Sequence, residues 1–101
     1  MNLAILSGKI YQIENYEDCV KFRVRVCEPS GSYSIKCRGY GNLIRYIESE
    51  LNEYDDVLIV GKTCATSFRT NDSSFIYMTY IKARFITKLT QTEYGAYHDD
   101  K

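Results

Sequence analysis

A chain of 101 residues makes one domain with a modest core and leaves no room for two. An apolar share of 45% and a charged share of 26% exclude wholesale disorder. Thirteen basic and thirteen acidic residues cancel, so net charge names no partner and the placement of the charges must carry that argument.

Residues 3–13 read as a first strand. Leu3, Ile5 and Ser7 share one face and Ala4, Leu6 and Gly8 the other, because strand side chains alternate. Apolar residues on both faces imply that the outer face also meets something, such as a second subunit. Gly8 marks a bend. The segment lacks the basic start and long apolar run of a signal peptide, and no stretch of the chain approaches a membrane span. Residues 14–18 form a polar turn. In residues 19–27, Val20, Phe22, Val24 and Val26 alternate with Lys21, Arg23 and Arg25, the period-two pattern of a sheet with one buried face. Pro29-Ser30-Gly31 suits a hairpin loop. Residues 33–40 form a third strand, with Ile35 and Cys37 turned one way and Lys36 and Arg38 the other.

Gly39 and Gly41 then bracket Tyr40, and Asn42 is expected to cap a helix reaching about residue 52. Leu43, Ile44, Ile47 and Leu51 make its apolar stripe, with Arg45, Glu48 and Glu50 toward water. Asp55-Asp56 reads as a solvated turn. Residues 57–67 form a fourth strand with a second bend at Gly61. A polar tip follows, and residues 75–86 form the last strand. There Tyr77, Thr79, Ile81, Ala83 and Phe85 are expected inward, with Met78, Tyr80, Lys82 and Arg84 outward. The domain is taken as residues 1–89, with 90–101 a flexible acidic tail. Three strands, one helix and two strands, bent at glycines, give an all-β fold: a five-stranded OB-type Greek-key barrel with its helix between strands three and four.

Charge is unevenly placed. Between Cys19 and Arg45 stand six bases (Lys21, Arg23, Arg25, Lys36, Arg38, Arg45) against Glu28 alone; from Tyr46 to Asp56 there are five acids (Glu48, Glu50, Glu53, Asp55, Asp56) and no base. One basic face is expected. Cys19, Cys27, Cys37 and Cys64 lack metal-ligand spacing and read as reduced, small apolar strand residues, with no metal site. The one histidine, His98, falls in the tail, and no nucleophile or phosphate-loop pattern surrounds a core position, so neither an enzyme nor a cofactor is expected.

Several stretches resemble the single-stranded DNA-binding protein family of bacteria and organelles. The opening Met-Asn-Leu-Ala-Ile-Leu-Ser-Gly-Lys-Ile is similar to that family's first strand. Cys37-Arg-Gly-Tyr-Gly-Asn-Leu43 is similar to its turn into the helix, and Asp56-Val-Leu-Ile-Val-Gly-Lys62 to its fourth strand. The resemblance covers residues 2 to about 89. It implies sequence-tolerant binding of single-stranded DNA in replication, repair or recombination by a homo-oligomer, a dimer or tetramer. It places Phe68 at a base-stacking position and Tyr40 at the aromatic before the turn. Ser34, next to Tyr33, stands where another stacking aromatic is usual. The family's acidic tail with a terminal aromatic has no counterpart in His98-Asp-Asp-Lys101, as in short plastid, cyanobacterial and primosomal relatives. The implied location is the cytoplasm, or the plastid stroma for an organellar protein.

Binding of this kind needs cations along the backbone track and flat rings for bases. The candidate contacts are Lys21, Arg23, Arg25, Lys36 and Arg38 on strands two and three, with Lys62, Arg69 and Lys82 on strands four and five. The candidate rings are Tyr33, Tyr40, Phe68 and Tyr80. Tyr33 and Tyr80 are read as outward. Phe68 could instead be a hinge packed under the hairpin, and Tyr40 could be core or interface. The basic strands could simply solvate a sheet face. RNA would fit the same face. The other functional class is a primosome-type interaction module with weak or no DNA binding, favoured by zero net charge and by Ser34.

Overall fold

The computed structural model describes residues 1–89; the acidic tail expected at 90–101, with His98, lies outside the described residues. The elements are β1 (Ala4–Asn15), β2 (Val20–Glu28), β3 (Gly31–Gly39), α1 (Asn42–Glu50), β4 (Asp56–Arg69) and β5 (Phe75–Lys88). The strands close into a barrel in the order β1-β2-β3-β5-β4. All neighbours are antiparallel except β3 and β5, which meet in parallel at Cys37–Ile81 and Arg38–Lys82. This is the all-β OB-type barrel, with its helix between β3 and β4.

The alternation in β2 buries Val20, Phe22 and Val24, which meet Ile10, Cys37, Val57, Ile59, Ile81, Ala83 and Ile86 in one core. Each fully buried side chain of this size stabilises the fold by about 1.5–3 kcal/mol. α1 covers one end through Ile47 and Leu51, with Leu43 and Ile44 packed alongside. Gly41, at φ 62°, precedes the helix as its cap. Asn42 is therefore the first helical residue and makes no side-chain cap, contrary to expectation.

Closure depends on two bends. β1 pairs with β4 up to Lys9 and with β2 from Lys9 onward, so Gly8 sits where the strand changes partners. A Cβ on Gly8 would collide with the Arg25 carbonyl oxygen, and one on Gly61 with that of Lys82. Both glycines permit the close backbone approach that a barrel corner needs.

The alternation expected for β5 holds only in its middle. Ile81 and Ala83 are buried, but Phe85 is 51% exposed and Ile86 is buried instead. The register explains this. Val60 pairs with Phe85 and Gly61 with Ala83, so Arg84 is an extra residue that turns Phe85 outward. Tyr77 and Thr79 were also expected inward. They lie where β4 and β5 have run past the barrel, and Tyr77 is 72% exposed.

The acids before β4 also depart from a simple solvated turn. Asp55 accepts from the Asn52 N–H at 2.8 Å and pairs with Lys88 at 3.5 Å; Asp56 pairs with Lys9 at 3.0 Å. Ile10 N–H donates to Asp55 O at 3.0 Å, tying the turn to β1. Cys19 and Cys37 are buried as small apolar residues, and burial pushes the Cys37 thiol up to about 12. Cys27 and Cys64 are not buried, since they stand on outward positions.

Candidate nucleic-acid interface

Register assembles the basic face. Lys21 pairs with Arg38, Arg23 with Lys36 and Arg25 with Ser34 across β2 and β3. Arg38 then pairs with Lys82 on β5, and Lys82 with Lys62 on β4. Seven predicted cations thus share one curved outer wall spanning four strands. Four of the cross-strand pairs, Lys21–Arg38, Arg23–Lys36, Arg38–Lys82 and Lys62–Lys82, are like-charged, an arrangement that costs stability. Among the described residues the two ion pairs are Lys9–Asp56 and Lys88–Asp55, and neither lies on this wall. Glu14, opposite Lys21 on β1, is the acid at its rim.

Tyrosines hold several of these cations in place. Arg38 lies 4.1 Å over the Tyr80 ring, Lys21 4.8 Å over Tyr16, Lys82 5.1 Å over Tyr40 and Arg25 5.7 Å over Tyr11. Each such contact is worth about 0.5–1 kcal/mol at exposed sites. A hydrogen bond with Tyr40 raises the Arg38 pKa further, and burial raises that of Tyr80. Tyr11 also stacks on Tyr54, with ring centroids 6.4 Å apart and planes 8° from parallel. Tyr11 and Tyr16 were not among the residues picked from the sequence. Their signal is cross-strand: Tyr11 pairs with Arg23, and Tyr16 flanks the turn into β2.

A groove of about 250 Å³ follows this wall, bounded by Gln12, Glu14, Tyr16, Arg23, Lys36 and Met78. Ser34 opens a second hollow beside it, where Met78 reaches toward Arg23 and Lys36. The small serine leaves space where the family resemblance implies a ring.

Beyond the barrel, β4 and β5 continue as a free hairpin. Its front face carries Lys62–Lys82, Cys64–Tyr80, Thr66–Met78 and Phe68–Ile76 in successive pairs, so Phe68 stands in line with Tyr80. Phe68 is 48% exposed and lies near the tip, which removes the hinge reading. The tip itself is ordered. Thr70 N–H donates to Ser74 O at 2.8 Å, and Asp72 accepts from the Thr70 hydroxyl and from Ser74 N–H. The Thr70 hydrogen bond, first among several, holds the Asp72 carboxyl below its usual range.

Two predicted residues fall elsewhere. Tyr33 pairs with Val26, whose side chain packs against the core, so Tyr33 shares the inward parity of Ile35 and Cys37. It emerges at the end of the β2–β3 hairpin, on the side opposite the cations. Its hydroxyl donates to Glu28 at 2.7 Å, which raises the phenol pKa. The outward placement alongside Tyr80 is therefore corrected. Arg69 pairs with Phe75 on the reverse face of the hairpin, with its guanidinium 5.2 Å from that ring.

No family model matches the chain, and no curated protein matches it in sequence. The fold is similar to that of the mitochondrial single-stranded DNA-binding protein Rim1 from S. cerevisiae, with a TM-score of 0.74 over 89% of this chain and 98% of that one. The two sequences are 12% identical, so the likeness is one of fold: the chain is built on the same closed OB-type barrel.

Proposed function

We propose that the protein binds single-stranded DNA with little regard to sequence, on the wall formed by β2, β3 and β5 and along the front of the β4–β5 hairpin. The observation that carries this reading is the row of like-charged cross-strand pairs with no ion pair among them, leading to the half-buried ring of Tyr80 and the exposed ring of Phe68. A polyanion relieves the self-repulsion, and the rings accept bases at about 1–3 kcal/mol each. Tyr40 positions Lys82 and Arg38 rather than offering a free face. The fold shared with a mitochondrial single-stranded DNA-binding protein supports the same reading. On this account the chain is a member of the bacterial and organellar family, a binding protein rather than an enzyme. It acts in replication, repair or recombination in the cytoplasm or an organelle.

The reading includes self-association as a dimer or tetramer. Ile5, 62% exposed, pairs with Val60, which pairs with Phe85, and Leu3 continues this apolar row on the outer wall of β1 and β4. Such a row is suited to a second copy.

Fluorescence anisotropy of a labelled dT oligomer of roughly thirty nucleotides at low salt tests the reading, with a duplex of equal length and an RNA oligomer as controls. Preference for the dT strand supports it. Equal binding to duplex contradicts it, and no binding at low salt moves the function to a protein partner of the primosome-type class.

A further inference from the structure

The hairpin is exposed on both faces from Ala65 to Tyr77, and a two-stranded ribbon of that kind is marginal in water without cover. Its front belongs to the proposed binding wall. Its reverse face is aromatic as well: Arg69 pairs with Phe75 and Ser67 with Tyr77, and the two rings are 53% and 72% exposed. Their centroids are 6.5 Å apart and their planes 30° from parallel. Non-bonded carbon atoms rest about 3.5–4.0 Å apart, so two such gaps with a flat ring between them need about 7 Å. The present spacing falls short of that, so one further ring enters when the two exposed side chains swing apart. Arg69, whose guanidinium lies 5.2 Å over the Phe75 ring, supplies a cation on the same face. The one carboxylate in the hairpin, Asp72, is already engaged by Thr70 and Ser74 in the tip. Ser67 and Thr79 beside the rings offer hydrogen bonds and little aliphatic area, which suits a base better than an apolar protein surface.

We propose that this reverse face is a second stacking site for single-stranded nucleic acid. A base enters between Phe75 and Tyr77, and Arg69 meets the adjoining phosphate. The strand arrives from the front face by passing around the ribbon, which is only two strands about 5 Å apart. The proposal rests on the binding reading above and extends it from one face of the hairpin to both.

The test compares the full chain with Phe75→Ala, Tyr77→Ala and the double variant, using dT oligomers of graded length. Each single change is expected to weaken binding of the long oligomer about fivefold or more. Oligomers too short to leave the front face bind as they do to the unchanged chain. Melting temperatures should hold, because both rings are exposed. With iodo-deoxyuridine in the long oligomer, photocrosslinks should map to Phe75 or Tyr77, and Tyr77→Phe should keep them. Unchanged long-oligomer affinity in the double variant overturns the second site, while a loss in Phe68→Ala still upholds the front. A changed sedimentation coefficient with unchanged DNA affinity assigns the face to a second copy and also overturns it. An unchanged chain that binds no oligomer removes both readings together.

Discussion

The barrel has two outer walls that leave opposite things unpaired. Across β2, β3, β5 and the part of β4 at Lys62 the wall is crowded with like charges: Lys21 against Arg38, Arg23 against Lys36, Lys62 against Lys82. Across β1 and β4, with the end of β5, it is apolar: Leu3, Ile5, Val60 and Phe85. Both are made by the same core and the same alternation. On the first wall repulsion is relieved only by anions; on the second, apolar area is relieved only by leaving water. On the function proposed above, the difference suits the two walls to different partners, a nucleic acid and a second copy of the chain.

Substitutions can separate the walls, beginning with the largest expected effect. Inverting two central charges, Arg23→Glu with Arg38→Glu, should weaken dT binding by about 100-fold or more, since hydrogen bonds to charged groups are worth about 1.5–3 kcal/mol each. Self-association should persist, and anisotropy alongside equilibrium sedimentation reads both. Ile5→Lys should do the reverse. Losing burial of that side chain costs about 1.5–3 kcal/mol per copy, so sedimentation should shift toward monomer while dT affinity per site holds. If Ile5→Lys abolished DNA binding and left the oligomer intact, the assignment of the walls would be inverted.

Smaller effects refine the first wall. Phe68→Ala should cost about 1–3 kcal/mol in affinity with no change in melting, because the ring is half exposed near the hairpin tip. Ser34→Tyr should gain about 1 kcal/mol by placing a ring in the hollow beside Arg23 and Met78. A loss of affinity there would mean that the strand needs the hollow open.

Much of this was legible in the residues. The alternation in β2 announces a one-sided strand, and Gly8 and Gly61 mark the corners where backbones meet. The helix stripe from Leu43 to Leu51 predicts what α1 covers. The misses share a cause. Alternation within a strand says nothing about its partner's register, so the extra residue at Arg84 and the outward turn of Phe85 were hidden. Nor does it say where the barrel stops, so Tyr77 was read as buried under a sheet that does not extend to it. Tyr33 shows the opposite case. Counting from Ile35 and Cys37 already gives its inward parity, and pairing with Val26 confirms it. Tyr11 and Tyr16 take their roles from Arg25 and Lys21, neighbours that only the fold supplies.

The most direct test of the central claim is the salt dependence of dT binding. If about five of the clustered cations each neutralise a phosphate, log K against log salt should fall with a slope of about −3.5, and Arg23→Glu with Arg38→Glu should flatten it. A slope near zero, or one that the double variant leaves unchanged, would contradict the assignment of this wall to a nucleic acid.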